Sequence, residues 1–328
     1  MVSREITVEA EIWPLRKTFT ISRGSKTEAN VIVVEIRENG KIGRGESVPY
    51  PRYNESVEEV IALIQSHALA IKKGLDRDKL QSIMVAGSAR NAVDCALWDL
   101  EAKLSNNPVW KLADLPPPQA VITAVTISLD TPEAMGKSAA LLSGTKLLKI
   151  KIDDQQIVER VYSVRKNVPE TRIIIDANES WTPKILKEVS SELAYLGVEM
   201  IEQPLPAGED DILAEFDHLI PLCADESCHT SKDIDKLKGL YEWVNIKLDK
   251  TGGLTEACNL AHAAQDRGFN LMVGCMVGTS LAMAPATLLG SYAKVVDLDG
   301  PLLLAEDRPE GLRFDNSYIY PPDTLLWG

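Results

Sequence analysis

The chain has 328 residues, of which 45% are hydrophobic and 25% charged, and its formal net charge is -13. These proportions are ordinary for a globular protein and exclude the low hydrophobicity of disordered chains. The negative charge and the absence of a Lys/Arg-rich run argue against a general surface for nucleic acids or anionic membranes. We therefore expect a folded protein that binds neither nucleic acid nor membranes.

The sequence offers no sign of export or membrane insertion. Met1 to Trp13 alternates charged and apolar residues and lacks the apolar run of a secretory signal. No apolar stretch approaches the roughly 20 residues that a membrane helix needs. The cysteines are odd in number and form no C-x-x-C pair, as expected of a reduced, cytoplasmic protein. They are Cys95, Cys223, Cys228, Cys258 and Cys275.

The first part of the chain predicts a small α+β domain. Alternation with a period near two indicates strands over Glu5–Trp13 and Asn30–Arg37. The segment between them, Phe19 to Ala29, is polar and predicts a loop. Helical spacing of apolar residues then covers Val57–Lys73 and Ala89–Leu104.

The second part predicts a barrel. Three consecutive prolines, Pro116 to Pro118, cannot continue a helix, so we place a domain boundary after residue 115. Short apolar runs then recur about every 22 to 27 residues, the length of a strand, a helix and two loops. They are centred near Val125, Ile150, Ile174, Ile201, Ala224, Ile246, Val273 and Val296. Eight parallel strands predict a closed α/β barrel over residues 116–307. Its last helix would be short or missing, and residues 308–328 would return to the first domain.

Lysines stand at the ends of two predicted strands, where the active site of such a barrel lies. The second run ends Lys149-Ile150-Lys151, and strand alternation places both ammonium groups on one face. Repulsion and partial burial would lower a lysine pKa and create a base usable near neutral pH. The sixth run ends on Lys247, on the far side of the barrel from Lys151. A solvated strand face is the alternative for the lysine pair.

Three successive runs stop on carboxylates, at Asp176, Glu202 and Asp225. Carboxylates that converge in a low-dielectric pocket are destabilising unless a cation lies among them. All-oxygen ligation favours a hard ion such as Mg²⁺. The alternative is that each acid caps the helix that follows its strand.

In this order and spacing the motifs resemble the enolase superfamily, in the muconate lactonizing enzyme subgroup. They are Lys149-Ile-Lys151, Asp176-Ala-Asn178, Glu202-Gln-Pro204, Asp225-Glu226-Ser227 and Lys247. The resemblance covers essentially the whole chain and implies a modified TIM barrel, (β/α)7β, with an N-terminal α+β capping domain. It implies one Mg²⁺ per subunit, held by Asp176, Glu202 and Asp225. It also implies acid/base catalysis by Lys151 and Lys247, with Lys149 holding the substrate carboxylate.

Within the superfamily, Asp297-Leu298-Asp299 resembles the D-x-D motif of dipeptide epimerases of the L-Ala-D/L-Glu type. Two carboxylates on one face suit a free α-ammonium group, which N-acylated amino acids and succinylbenzoate precursors lack. A turn cap by Asp297 is the alternative. The resemblance implies two-base 1,1-proton transfer on a small dipeptide through a metal-stabilised enediolate, in murein peptide recycling. The rivals are an N-acylamino-acid racemase or o-succinylbenzoate synthase, and a non-catalytic barrel scaffold.

The polar segment Ser22 to Lys26 takes the place of the loop that closes over the substrate in this family. Arg23 is the candidate partner for an acidic substrate side chain, with a solvent-exposed arginine as the alternative. The resemblance implies further substrate contacts at Thr126 and at Cys275, Met276 and Val277. Association into a homo-oligomer is common in this family, although no stretch of the sequence identifies an interface. The four histidines lie outside the predicted strand ends and receive no catalytic role.

Overall fold

The first part of the chain forms an antiparallel sheet covered by helices in a computed structural model that describes residues 4–328. The residues of the Met1–Trp13 stretch that precede residue 4 lie outside the described part. The elements are β1 (Glu5–Ile21), β2 (Gly24–Glu38), β3 (Lys41–Ser47), a 3-10 turn (Pro51–Tyr53), α1 (Val57–Ser66), α2 (Ala68–Lys72), α3 (Arg77–Ile83), α4 (Ser88–Ser105) and α5 (Val109–Leu112).

The polar segment Phe19–Ala29 belongs to a hairpin, so the loop predicted there is wrong. β1 and β2 pair as far as the hairpin tip, with Phe19 opposite Lys26 and Ile21 opposite Gly24. Backbone pairing needs no apolar side chains, and the polar composition therefore concealed two strand ends. The tip reaches the barrel, because the backbone nitrogen of Leu129 donates to the Thr20 carbonyl at 3.0 Å.

The helices of the first part agree with the prediction in one case and depart from it in another. α4 confirms the helix predicted over Ala89–Leu104. The single helix predicted over Val57–Lys73 is interrupted at His67, whose ring Nδ1 lies 2.9 Å from the Leu63 carbonyl oxygen. α4 lies unusually close to β3. A Cβ atom added at Gly45 would stand 2.1 Å from the Ala92 carbonyl oxygen, so only glycine permits this approach.

The second part confirms the α/β barrel, with an eight-stranded parallel sheet at the positions of the eight apolar runs. A parallel bridge between Thr123 and Val296 joins the last strand to the residues before the first, which closes the sheet. The strands are β4 (Val121–Ile122), which precedes the barrel, and β5 (Val125–Ile127), β6 (Leu147–Lys151), β7 (Arg172–Asp176), β8 (Val198–Glu202), β9 (Leu222–Ala224), β10 (Trp243–Ile246), β11 (Asn270–Val273) and β12 (Val295–Val296).

Helices connect most of the barrel strands. They are α6 (Pro132–Leu141), α7 (Ile157–Asn167), α8 (Pro183–Tyr195), α9 (Ile234–Leu237), α10 (Leu248–Thr251), α11 (Leu254–Asp266), α12 (Ser280–Thr287) and α13 (Gly300–Leu303), with 3-10 turns at Asp211–Glu215 and Ser231–Asp233. The helix after the eighth barrel strand is short, as predicted. Across residues 4–328, no helix combines the length and apolar character needed to cross a bilayer.

The end of the chain contacts both parts. It forms β13 (Phe314–Asp315) and β14 (Tyr318–Ile319), and β14 pairs with β4. Beyond them, Trp327 Nε1 donates to the Cys95 carbonyl at 3.0 Å, and Gly328 N donates to Asp99 Oδ1 at 2.8 Å. We propose the division predicted from the sequence: a capping domain to residue 115, a barrel from 116 to 307 and a returning tail.

Candidate active site

The barrel interior changes from apolar to charged along the direction of its strands. Its lower layer consists of buried apolar side chains: Ala124, Leu147, Ile174, Met200, Cys223, Met272 and Val295. Side chains of a strand alternate between its two faces, so the residue two positions later also points inward. For six strands that residue is polar: Thr126, Lys149, Asp176, Glu202, Asp225 and Asp297. The strand period therefore brings these groups to the carboxyl end of the barrel.

Lysine ammonium groups pair with these carboxylates. Lys151 lies opposite Asp176 in the pairing of β6 with β7, and its Nζ is 2.6 Å from Asp176 Oδ2. Lys149 Nζ lies 3.0 Å from Asp176 Oδ2, 2.6 Å from Glu202 Oε2 and 2.9 Å from Asp297 Oδ2. Lys247 Nζ contacts Asp225 Oδ2 at 2.5 Å. Lys149 thus neutralises charge at the centre, while Lys151 and Lys247 flank it on separate strands.

These contacts change the expected basicity of two lysines. Burial lowers the pKa of Lys149, but the carboxylates of Asp176, Asp297 and Glu202 outweigh burial and raise it well above its ordinary value. Burial also opposes the charge of Lys247, whose pKa is nevertheless raised by Asp225 and Glu202. The lowered pKa predicted for one lysine of the Lys149–Lys151 pair is not found at Lys149, because the three carboxylates outweigh the effect of burial.

The acidic groups of the site fall into two classes by the direction in which their pKa is shifted. Burial acts to raise the pKa of Asp176 and Asp225, but the adjacent lysines hold both below the ordinary value of an aspartate. Burial and the charge of Asp176 raise the pKa of Glu202 to about 6. Burial and the charge of Asp225 raise that of Glu226 to about 7. The site therefore holds more carboxylate than its own lysines fully compensate.

The three carboxylates at the ends of β7, β8 and β9 offer the hard oxygen donors that Mg²⁺ prefers. Glu202 Oε2 is buried and accepts no regular hydrogen bond in the described chain, although the ammonium of Lys149 lies near it. Among residues 4–328, no three acidic, histidine or cysteine side chains are arranged to hold a metal ion as they stand. Lys149 bridges Asp176 and Glu202, and Lys247 reaches both Glu202 and Asp225. The donor set therefore suits Mg²⁺ in its chemistry, while lysine ammonium groups bridge the carboxylates in this structure.

A cavity of about 60 Å³ lies above the charged layer, between the barrel and the hairpin of the first part. This is roughly the space of a few water molecules. Asp176 and Glu202 are fully buried beneath the cavity. The other predicted site residues line it: Arg23, Thr126, Lys149, Lys151, Asp225, Lys247, Cys275, Met276, Val277, Asp297 and Asp299.

Arg23 fastens the hairpin tip to the barrel. Its Nη1 donates to the Asn178 carbonyl at 2.9 Å and to Glu179 Oε2 at 3.0 Å. Its Nη2 donates to the Tyr50 hydroxyl at 2.9 Å and to Glu226 Oε1 at 2.7 Å. These acceptors come from the strand ends of β7 and β9 and from the capping domain, so the guanidinium closes the cavity.

The D-x-D pair lies at the opposite wall of the cavity. Asp297 Oδ2 accepts from Lys149 at 2.9 Å, whereas Asp297 Oδ1 is buried and has no hydrogen-bond partner in the described chain. Asp299 Oδ2 accepts from the backbone nitrogen of Thr126 at 2.6 Å. Burial and the charge of Asp297 raise the pKa of Asp299 to about 7. The pair therefore presents carboxylate charge that a cationic ligand group would compensate.

The segment after β11 is held by a buried glutamate of the capping domain. Glu46 Oε1 accepts from the backbone nitrogen of Thr279 at 2.8 Å, and Glu46 Oε2 accepts from Arg308 Nη2 at 2.7 Å. A Cβ atom at Gly278 would stand 3.1 Å from Glu46 Oε1. These contacts fix the chain just after Cys275, Met276 and Val277.

The structure also places residues in the site that sequence reasoning did not select. Lys250 is fully buried and donates to Asp225 Oδ1 at 2.6 Å and to the Asn245 carbonyl at 2.9 Å. Glu226 and Lys26 line the cavity. The available signals were weak: Lys250 follows Lys247 by one helical turn, and Glu226 directly follows Asp225.

Comparison with known proteins identifies relatives along the whole chain. The L-Ala-D/L-Glu epimerase of Escherichia coli (strain K12) is 49% identical over 319 residues, covering 97% of this chain and 99% of that protein. The N-acetyl-D-glutamate racemase of a Pseudoalteromonas species is 47% identical over 305 residues, covering 91% and 95%.

Solved structures agree with these relatives. An enolase family member from Agrobacterium tumefaciens with homology to dipeptide epimerases, crystallised with sodium and L-Ala-L-Glu, is 48% identical with a TM-score of 0.98. The superposition covers 99% of this chain and 100% of that one. A dipeptide epimerase from Enterococcus faecalis V583, complexed with Mg and L-Leu-L-Tyr, is 28% identical with a TM-score of 0.91, covering 98% of both chains.

Two family models match the two parts of the fold. Residues 3–113 match the N-terminal domain of mandelate racemase and muconate lactonizing enzyme. Residues 134–325 match the enolase C-terminal domain-like model. The chain therefore belongs to the mandelate racemase and muconate lactonizing enzyme family of the enolase superfamily.

Proposed function

We propose that the protein is a Mg²⁺-dependent dipeptide epimerase that acts by two-base proton transfer, with L-Ala-D/L-Glu as its substrate. The observation that carries the proposal is the placement of Lys151 and Lys247 in one cavity, at the ends of β6 and β10. In the closed sheet of eight strands, three strands separate β6 from β10 in either direction. The two ammonium groups therefore approach a central ligand from opposite sides.

This arrangement suits inversion at a carbon atom beside a carboxylate. One lysine, in its neutral form, removes the α-proton from one face, and the other, as an ammonium, supplies a proton to the opposite face. Exchange of the two roles converts the other epimer. Lys149, which lies among the carboxylates of Asp176, Glu202 and Asp297, would hold the substrate carboxylate.

Asp176, Glu202 and Asp225 would hold the Mg²⁺. A bound Mg²⁺ supplies positive charge that favours loss of the proton beside a carboxylate. It also competes for the carboxylates that now pair with lysines. Asp176 is the acid that contacts Lys151, and Asp225 is the acid that contacts Lys247. With these acids engaged by the ion, Lys151 and Lys247 would be left to exchange protons with a ligand.

Asp297 and Asp299 favour a dipeptide over an N-acylated amino acid. Asp297 lines the cavity, and its buried Oδ1 has no hydrogen-bond partner among residues 4–328. A buried carboxylate oxygen without a donor is costly, and an α-ammonium group would supply donors and charge. An N-acyl amide has no positive charge to offer. The family resemblance makes Arg23 a candidate partner for an acidic substrate side chain, but its two terminal nitrogens already donate to four acceptors. Thr126, Cys275, Met276 and Val277 are candidates for further substrate contacts.

An N-acylglutamate racemase is the second candidate, because a relative with that function is 47% identical to this chain. The same two lysines would serve either substrate. The two candidates differ in whether they need Asp297. Its carboxylate would bind the α-ammonium group of a dipeptide, whereas an acylated nitrogen carries no positive charge. We also propose, by resemblance, that the enzyme works in the cytoplasm in the recycling of murein peptides.

Proton NMR of L-Ala-L-Glu with the purified protein and Mg²⁺ in deuterated water tests the reaction. We expect the Glu α-proton to exchange while the D epimer accumulates. A scaffold without catalytic activity would leave the α-proton in place. N-Acetyl-glutamate and L-Ala-L-Glu are compared in parallel, and faster turnover of the acetylated compound would favour the second candidate.

A further inference from the structure

Two cations of the hairpin face the cavity, but only one of them is free to receive a ligand. A guanidinium has five N–H donors. In Arg23, the two terminal nitrogens already donate to four acceptors, including the carboxylates of Glu179 and Glu226. Only Nε of Arg23 remains. A substrate carboxylate could accept only from Nε unless it displaced Glu179 or Glu226, and that displacement would loosen the closed hairpin.

Lys26 differs from Arg23 in that its charged group has no acceptor within residues 4–328. It is half-buried and lines the same cavity as Lys151, and its ammonium group makes neither a hydrogen bond nor an ion pair within residues 4–328. Its Nζ lies 6.0 Å from the centroid of the Tyr50 ring. Burial, and next the charge of Lys151, lower the pKa of Lys26. A cation that is partly desolvated and lacks an anionic partner gains most from an incoming carboxylate.

The strand register explains why Lys26 reaches this position. Lys26 is paired with Phe19 near the tip of the β1–β2 hairpin, and both residues line the cavity. Arg23 occupies the turn itself and contacts the barrel. In the closed hairpin, Lys26 therefore lies at the cavity, while Arg23 holds the hairpin against the barrel.

We infer that Lys26 is the specificity-determining residue for an acidic substrate side chain, whereas Arg23 chiefly closes the hairpin. The inference rests on the proposed epimerase function and assigns the side-chain recognition of the same site. Lys26 Nζ would donate charge-assisted hydrogen bonds to the side-chain carboxylate of the epimerised residue. A neutral side chain of equal size would gain little from the same lysine.

The test compares L-Ala-L-Glu with its uncharged isostere L-Ala-L-Gln in the presence of Mg²⁺. We expect Lys26→Gln to lower kcat/KM for L-Ala-L-Glu by roughly 10- to 100-fold, mainly through KM, because hydrogen bonds to charged groups are of that strength. Turnover of L-Ala-L-Gln should change by no more than about twofold. Lys26→Arg should retain the preference for L-Ala-L-Glu, since it keeps the charge.

Two control variants separate charge recognition from hairpin closure. Lys17→Gln makes the same change at an exposed position of β1 and should leave both substrates unaffected. Arg23→Gln should impair both substrates alike, because it releases the hairpin. Equal losses on both substrates with Lys26→Gln, or none on either, would overturn the inference.

Calorimetry measures the affinity of the protein for each of the two dipeptides and does not depend on turnover. If the unaltered protein failed to epimerise any dipeptide, the proposed function would be wrong, yet the binding ratio would still decide the role of Lys26. Equal affinity of the unaltered protein for L-Ala-L-Glu and L-Ala-L-Gln would contradict that role. A preference for L-Ala-L-Glu that disappears in Lys26→Gln would support it.

Discussion

Asp249 should make the stability of the protein fall as the pH rises, and Asp249→Asn should remove this dependence. The side chain is buried in the barrel and joins it to the capping domain. Its Oδ1 accepts from the backbone nitrogen of Val48 at 2.9 Å and from Asn91 Nδ2 at 2.8 Å. Burial raises the pKa of Asp249 to about 7, the two donors oppose the rise, and the charges of Glu55 and Glu46 add to it.

The sign follows from the two states of the carboxyl group. An aspartate in the unfolded chain has a pKa of about 3.9, so it ionises at a lower pH than Asp249 in the folded protein. Between the two values, deprotonation favours the unfolded chain, and the cost to folding increases until the folded pKa is passed. Between pH 5 and pH 8 the added cost is about 2.5 kcal/mol. Asparagine keeps the accepting oxygen and carries no charge.

Urea denaturation at pH 5 and pH 8 measures the effect. We expect the free energy of unfolding of Asp249→Asn, relative to that of the unaltered protein, to rise by about 2.5 kcal/mol between pH 5 and pH 8. Ionising groups that do not interact with Asp249 cancel in the difference between the two proteins. Asp315→Asn, at an exposed position of β13, is the matched control and should show no such divergence. A difference that stays constant with pH, or one that falls between pH 5 and pH 8, would refute the reasoning.

Three further substitutions test other contacts of the site. Lys250→Met breaks a buried pair with Asp225 and should lower the free energy of unfolding by roughly 3–5 kcal/mol, measured by urea denaturation. Glu46→Ala leaves the guanidinium of Arg308 without its most buried partner, and we expect a loss of similar size, seen as a lower denaturation midpoint. Asp297→Asn should reduce kcat/KM for L-Ala-L-Glu by at least about 10-fold, because a charge-assisted contact to the ammonium is lost. Unchanged activity of that variant on a free-amine dipeptide would rule out the ammonium role.

The barrel could be predicted because its signal is repeated eight times. Each strand contributes a short apolar run, and the runs follow one another at nearly constant spacing. The same strand period placed Lys149, Asp176 and Glu202 on the inner face, two positions beyond the apolar layer. Residues that lie at strand ends could therefore be assembled into one site from their order alone.

The features that the sequence did not reveal depend on partners distant in the chain. The polar strand ends around Phe19 and Lys26 form because they pair with each other across a hairpin, which composition does not indicate. The high pKa of Lys149 reflects three carboxylates from β7, β8 and β12, whereas the sequence showed only its neighbour Lys151. The strand pattern does not indicate Lys250, because this residue lies on a short helix and not on a strand.

The most direct test of the two-base account is α-proton exchange measured separately on L-Ala-L-Glu and L-Ala-D-Glu with Lys151→Ala and Lys247→Ala, in deuterated water with Mg²⁺. The account predicts that neither variant interconverts the epimers, while exchange retained by a variant is confined to one epimer, the one whose α-proton faces the remaining lysine. Full epimerisation by either variant would contradict the central claim that two opposed lysines share the proton transfer.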